Sequence, residues 1–359
     1  MPKPVGATPR PAALFKHRPE DFCVIEQIDN ATASAGAPGD AAGTGQWLLR
    51  LRKRNLDTRR VCTLLARWAG IPQVEVGYAG RKDRRAMAEQ WFTVPAAAAT
   101  RAPLELAAQL AQWRADGTLQ PDQTLALLEQ HWRQRKLKIG ELLGNRFVVR
   151  LRPLPDAAAQ TLDPGIAALA TLARRGCPNL FGPQRFGRSG LRDALDWAAQ
   201  RATAAAQQDA GGQRRARRKR RNADRWHLSV LRAHLFNQVV RQRCDGHRDC
   251  PRLDGDVLLD GVPTGPLWGR GRSATTGLAS VQETQALAGW EDVRQVLEHA
   301  GPRQDRRALW MYPRDLTLHR CRENRVLSFR LPPGAYASTL LAACFELHEA
   351  PSTERAVAA

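Results

Sequence analysis

Period-two alternation is the first regularity along the chain. DFCVIEQI, residues 21–28, alternates and is rich in branched residues. QWLLRLRKR at 46–54 alternates Leu with Arg after Leu48, RFVVRLRPL at 146–154 has the same character, and RVLSFRLP at 325–332 repeats it late in the chain. Successive strand side chains point to opposite faces, so each run predicts a strand with one buried face. Helical spacing appears in DTRRVCTLLARWAG, 57–70, and PGIAALATLARRG, 164–176, each closed by a Gly suited to a helix C-terminus. Residues 285–300 and 335–348 also read as helical. The stretch 31–45, rich in Ala, Gly and Thr, predicts a flexible loop. Strands that alternate, rather than run continuously apolar, belong to antiparallel or mixed sheets. The expected class is therefore α+β, a mixed or antiparallel sheet covered by helices.

Charge adds a partner to this picture. The 359 residues carry 55 Lys and Arg against 35 Asp and Glu, a formal charge of +20, and 48 of the 55 cations are Arg. Such an excess favours a polyanion, and the planar guanidinium suits phosphate and base faces, so nucleic acid is the expected partner. Seven Cys are scattered through the chain with no small-scaffold disulfide pattern, which predicts reduced thiols. The first residues contain no apolar core of signal-peptide length, and no run of about 18 apolar residues occurs anywhere. A soluble, cytoplasmic protein without a membrane segment is expected. The densest charge run, GGQRRARRKRRNADR at 211–225, reads as an insertion that is mobile in the free protein and contacts phosphate when RNA binds.

Three short constellations invite chemistry. Cys244, His247 and Cys250 form C-x2-H-x2-C, but a structural zinc site wants four ligands in paired clusters and no second cluster lies nearby, so no metal is expected. NLFGPQRFGRSG, 179–190, lacks the Gly-Lys-Ser/Thr ending of a Walker loop and does not fit the dinucleotide fingerprint. Its Gln184, Arg185 and Arg188 beside glycines point instead toward phosphate or base edges. Finally, GYAGRKDRRAMAEQWFTV, 77–94, sets a single carboxylate, Asp83, among Arg81, Lys82 and Arg84. Asp83 can be a plain member of a surface ion pair. It can also be a working group, because cations favour an ionised carboxylate, which serves as nucleophile or base without a metal.

Several segments together resemble the TruD family of transfer-RNA pseudouridine synthases. AGRKDRRAMAEQWF (79–92) is similar to the family signature and FKHRPEDFCVIE (15–26) to its N-terminal motif. KLKIGELLGNRFVVRLR (136–152) resembles its Gly-Asn-x-Phe segment. GCPNLFGPQRFG (176–187) and LRAHLFNQVV (231–240) resemble parts of its inserted domain, and LSFRLPPGAYASTLL (327–341) its C-terminal motif. They occur in family order over nearly the whole chain. The resemblance implies a pseudouridine-synthase catalytic domain built from residues 1–170 and 304–359, interrupted by an insertion domain at 171–303.

The same resemblance implies isomerisation of uridine in transfer RNA, at position 13 of the D arm in bacterial members, with no cofactor. By position it makes Asp83 the catalytic aspartate. Phe22, Asn145 and Phe329 become nucleotide-binding residues, Lys16 a basic partner of Asp83, and Phe147 the counterpart of a Tyr in other pseudouridine-synthase families. Lys82, Arg185, Arg188, Arg217 and Arg218 are the expected RNA contacts, and a monomer is expected. Arg81 and Arg85 depart from the family pattern, which has an uncharged residue more often at the first and frequently His at the second. A catalytically inactive RNA-binding protein or chaperone on the same scaffold is the alternative. A DNA-binding regulator lacks support, since no helix-turn-helix or zinc-finger spacing occurs.

Overall fold

The computed structural model describes residues 10–29, 45–96, 103–154, 161–187, 190–207, 217–244 and 249–349. Strands β1 (Ala12–Phe15), β2 (Phe22–Gln27) and β3 (Gln46–Arg54) open the chain, followed by helix α1 (Thr58–Ala69). Next come β4 (Gly77–Tyr78), β5 (Met87–Pro95), α2 (Pro103–Ala115), β6 (Thr124–Arg133), β7 (Gly144–Leu151) and α3 (Asp163–Arg175). The middle of the chain holds β8 (Cys177–Pro178), α4 (Pro183–Phe186), α5 (Gly190–Gln207), α6 (Arg217–Cys244), β9 (Leu258–Leu259), β10 (Val262–Leu267), α7 (Gly277–Ala286) and α8 (Glu291–Ala300). It continues through β11 (Asp305–Ala308), β12 (Trp310–Met311), β13 (Arg314–Cys321), β14 (Asn324–Leu331), α9 (Ala337–Cys344) and β15 (Glu346–Glu349).

Two compact units divide these elements. One comprises Met1–Ala170, Pro313–Gly334 and Cys344–Ala359; the other comprises Thr171–Tyr312 and Ala335–Ala343. The first is built on an eight-stranded sheet of order β13-β14-β7-β2-β5-β3-β6, with β4 paired to β5. All these pairings are antiparallel except β2 with β5, so the sheet is mixed.

Alternation decides its faces. Inward positions include Leu49 and Leu51 of β3 and Phe92 and Val94 of β5; α1 and α2 cover them with Val61, Leu64, Leu65, Leu106, Leu110 and Trp113. Helix α1 starts where the Asp57 side chain accepts from the Arg60 amide at 2.9 Å, and it ends at Gly70 in the left-handed region. On the opposite face Arg50 and Arg52 pair with Glu89 of the neighbouring strand, the cross-strand arrangement that a solvated sheet face supports.

In the second unit, α6 packs Leu231, Leu235, Phe236 and Val239 against Ala194 and Ala198 of α5 and Val293, Val296 and Leu297 of α8. Strands β11 and β12 pair with β10 and β8. That pairing places residues 305–312 with the middle unit and shifts the expected boundary at 303/304.

The four anticipated strands are present within two or three residues of their expected limits. Three expectations change. Residues 285–300 do not form one helix, because α7 ends at Ala286 and α8 begins at Glu291, with Gly289 at positive φ between them. Residues 335–348 hold a shorter helix followed by β15, which pairs with β1. The Arg-rich run is not loop throughout: its second half, from Arg217, is the start of α6. Arg, Lys and Ala are good helix formers, and neither Gly nor Pro follows position 212 in the run. The first part of the run and the expected loop at 31–45, apart from Gly45, lie outside the described residues.

Candidate active site

Asp83 sits on a short connection between β4 and β5 that the sheet beneath it holds at several points. Tyr78 is opposite Phe92 and Gly77 opposite Thr93. A Cβ at Gly77 would come within 2.2 Å of Thr93 Oγ1 and 2.6 Å of the Leu137 carbonyl oxygen, so only glycine fits there. Gln90 donates through Nε2 to the Gly80 carbonyl at 2.5 Å, and Thr58 Oγ1 accepts from the Lys82 amide at 3.0 Å. Thr58 in turn donates to Gln90 Oε1 at 3.1 Å. Lys53 finishes the clamp, its Nζ donating to the carbonyls of Asp83 at 2.8 Å and Leu56 at 2.5 Å. Burial lowers the Lys53 pKa to about 8, while the Asp83 charge acts in the opposite direction. With its backbone fixed from below, the Asp83 side chain projects outward and is 45% exposed.

One cation meets it there. Lys16 donates through Nζ to Asp83 Oδ2 at 2.9 Å and is itself 6% exposed. The ammonium lies 4.4 Å from the centroid of the Phe22 ring and 5.2 Å from that of Phe15, within cation–π range of both. Lys16 also has φ +54°, a left-handed conformation that costs a non-glycine residue roughly 1–2 kcal/mol. Strain of this kind persists where surrounding structure holds it, often at working sites.

A second ionic group lies one residue earlier in the chain. Lys82 Nζ donates to Glu26 Oε1 at 2.5 Å and to Asn145 Oδ1 at 2.8 Å. The other Glu26 oxygen accepts from the Trp91 amide at 3.1 Å, and the Glu26 side chain is fully buried. Strand register explains the meeting: Glu26 of β2 is directly opposite Asn145 of β7, which is opposite Leu331 of β14. Two residues along β7, a second row places Val24, Phe147 and Phe329 opposite one another. Ring centroids there step from Phe22 to Phe147 at 5.9 Å and from Phe147 to Phe329 at 5.6 Å, the latter pair stacked.

A family model described as tRNA pseudouridine synthase D (TruD) matches residues 7–192. Similar chains include the tRNA pseudouridine synthase D of Nitrosococcus oceani, 34% identical over 96% of this chain and 94% of its own length. That of Xanthomonas campestris pv. campestris is 36% identical over 95% and 93%. This chain belongs to the TruD family. The fold agrees: a crystal structure of the putative TruD protein from Methanosarcina mazei superposes with a TM-score of 0.57 over 94% of each chain, at 17% identity.

Within this TruD chain the structure gathers Lys16, Phe22, Asp83, Asn145, Phe147 and Phe329 in one unit, on or beside the same part of the sheet. The three rings are all buried, and Phe329 has no exposed surface, so each is part of the core as it stands. Lys82, expected as an RNA contact, turns inward: it is buried next to Glu26, and its ammonium is taken up by the ion pair and Asn145. Arg185 belongs to the other unit, on α4, half-buried, with its guanidinium bonded to Ser229 and 5.7 Å from the Phe181 ring centroid. Arg217 and Arg218 occupy the first turn of α6. Arg188 and His247 lie outside the described residues. Among the described residues no group of three His, Cys, Asp or Glu is arranged to hold a metal ion, and no helix is long and apolar enough to cross a membrane.

Sequence reading missed Glu26, Lys53, Thr58 and Gln90. For two of them a signal was present. Glu26 and Lys53 occupy inward positions of strands whose alternation is plain, since Glu26 follows Phe22 and Val24 and Lys53 follows Leu49 and Leu51. A charge at an inward position must find a partner, and that requirement marks it in the alternation itself. Arg81, by contrast, lines an open cleft of about 550 Å3 together with Arg59, Arg60 and Gln73. This cleft adjoins the Asp83 loop, and its lining holds three arginines and Asp57.

Proposed function

We propose that this chain isomerises uridine to pseudouridine in transfer RNA, at position 13 of the D arm, with Asp83 as the reacting group. One observation carries the reading: an exposed carboxylate on a clamped backbone, ion-paired to Lys16 at 2.9 Å. During isomerisation the N1–C1′ bond breaks, the uracil ring turns, and a C5–C1′ bond forms; the proton on C5 leaves and N1 gains one. The balance is closed, with no redox change and no water consumed, so the chain's own groups suffice. Asp83 attacks the nucleotide as nucleophile or withdraws a ribose proton as base. Lys16 holds the carboxylate in place and supports its charge.

Because the target base must leave the helical stack, it needs a pocket that grips the ring while letting it turn. Asn145 and the Phe22, Phe147 and Phe329 cluster are our choice for that grip. Arg185, Arg188, Arg217 and Arg218 are our candidates for contacts with phosphates. A cytoplasmic monomer fits this role.

The test is incubation with unmodified transfer RNAs followed by carbodiimide mapping. The expected result is one new pseudouridine, at position 13, with the wild-type chain and none with Asp83→Asn, while both bind the RNA alike. Absence of any product from the wild type would overturn the reading. Undiminished product from Asp83→Asn would remove Asp83 from it.

A further inference from the structure

Resting on that reading, we infer that the Glu26–Lys82 pair locks the side-chain amide of Asn145 into a donor-only orientation, and that this lock selects uracil and keeps hold of it through the turn. Asn145 is otherwise ambiguous, because its amide offers an oxygen on one side and an NH2 on the other. Lys82 removes the ambiguity. An ammonium has three donors and no acceptor, so only Oδ1 can face it, and Oδ1 does so at 2.8 Å. Turning the amide over would aim two donors at a buried cation. Lys82 cannot move aside either, since it is paired at 2.5 Å with Glu26, whose side chain is fully buried and whose second oxygen is held by the Trp91 amide. Nδ2 of Asn145 is thereby directed away from Lys82, and it donates to no group among the described residues. The residue remains 9% exposed. Lys82 is also the neighbour of Asp83, so the loop that presents the carboxylate also fixes the amide.

A donor-only contact matches the symmetry of the substrate. In uridine the glycosidic atom N1 is flanked by C2=O and C6–H; in pseudouridine the glycosidic atom C5 is flanked by C4=O and C6–H. Turning the ring about its N3···C6 axis exchanges N1 with C5 and O2 with O4. A donor aimed at one carbonyl position therefore finds an oxygen there before the turn and again after it. Cytosine carries NH2 at C4, so whichever position Asn145 meets first, one of the two orientations sets donor against donor. A buried donor left facing another donor loses a bond and retains its desolvation cost. Uracil is accepted in both orientations and cytosine is not. Lys82 and Glu26 are thus positioning residues acting through Asn145.

The test is Asn145→Asp, which keeps the size of the side chain and gives Lys82 a stronger partner. A residue that only braces the sheet would tolerate it. A donor-only contact predicts kcat lowered about tenfold or more in the folded variant, measured at a temperature where it is wholly folded because the added carboxylate shares Lys82 with Glu26. A second variant, Glu26→Gln with Lys82→Gln, removes both charges at nearly constant volume and frees the amide to turn; it too should fold and lose about tenfold in kcat. RNA affinity, measured for each change in an Asp83→Asn background, should stay within about twofold because phosphates dominate it. Wild-type turnover in Asn145→Asp or in the paired Gln variant would overturn the inference. Either outcome leaves the proposed reaction standing, since that is judged on wild-type product alone.

Discussion

The ammonium of Lys53 donates to the main-chain carbonyl of Asp83 at 2.8 Å, so a lysine buried in the sheet holds the residue whose side chain faces solvent. Burial sets its pKa at about 8, below the ordinary 10.5. Between those values the unfolded chain carries a proton that the folded chain has released. Stability therefore rises with pH across that window, and the contribution is lost as pH falls through about 8. Denaturant unfolding of wild type and Lys53→Met at about pH 7.5, below the window, and about pH 10, well inside it, measures it. The stability difference, wild type minus variant, should be larger at the higher pH. A difference independent of pH would mean that Lys53 does not titrate there.

How much of this arrangement the sequence disclosed depends on parity and distance along the chain. Phe22, Val24 and Glu26 share a face because they are two apart, and that could be read directly. That Glu26 meets Asn145 and Lys82 depends on the β2–β7 register and on separations of more than fifty residues, which no local pattern encodes. Resemblance to a family supplied Asp83, Lys16 and Asn145 as a set. It did not reveal that Lys82 faces inward, because the charged motif 81–85 looks uniformly exposed until the loop is seen to fold over Thr58 and Gln90. The break between α7 and α8 and the late strand β15 escaped for a different reason. Short apolar runs satisfy helix and strand periods alike, and β15 gains its identity only by pairing with β1.

Lys16 offers a clean separation of function from stability. It lies between two phenylalanine rings, almost without exposure, and pairs with a carboxylate that is half in solvent. Lys16→Met leaves no buried charge unpaired and fills the same apolar space, so thermal stability should not fall. Turnover should fall about tenfold or more, as Asp83 loses the group that orients it. Melting temperature and single-turnover rates on the same preparation check this. A variant with normal turnover would make Lys16 a packing residue only.

Phe329 is fully buried against Phe147. Truncation to Ala would confuse cavity formation with weaker hold on the substrate, since it costs about 3–5 kcal/mol of stability by itself. Phe329→Leu keeps most of the volume and removes the aromatic face. If the ring cluster grips the extruded base by stacking, kcat/KM should drop about tenfold, as stacking is worth roughly 1–3 kcal/mol per base. Steady-state kinetics at a temperature where the variant is wholly folded measures this. Unchanged kcat/KM would assign Phe329 to the core alone.

The first turns of α6 carry Arg217, Arg218, Lys219, Arg220 and Arg221. A helix N-terminus already bears a partial positive charge, so cations there are unfavourable in the free protein and an anion relieves them. Asp224, farther along the same helix, accepts from Trp197 Nε1 at 3.0 Å and Arg201 at 2.9 Å. Phosphates of the RNA would meet this need without reading its sequence. Replacing the five cations with Gln preserves helix propensity and removes the charge. For every phosphate that the variant no longer neutralises, the slope of log affinity against log salt should flatten by about 0.7–0.9, and all transfer RNAs should weaken alike. The modified uridine should not change, and the rate at saturating RNA should be retained. A salt titration of binding for wild type and the five-Gln variant decides the matter. Coincident slopes would remove this helix from the RNA-binding surface and shift attention to Arg59, Arg60 and Arg81, which line the cleft beside the Asp83 loop.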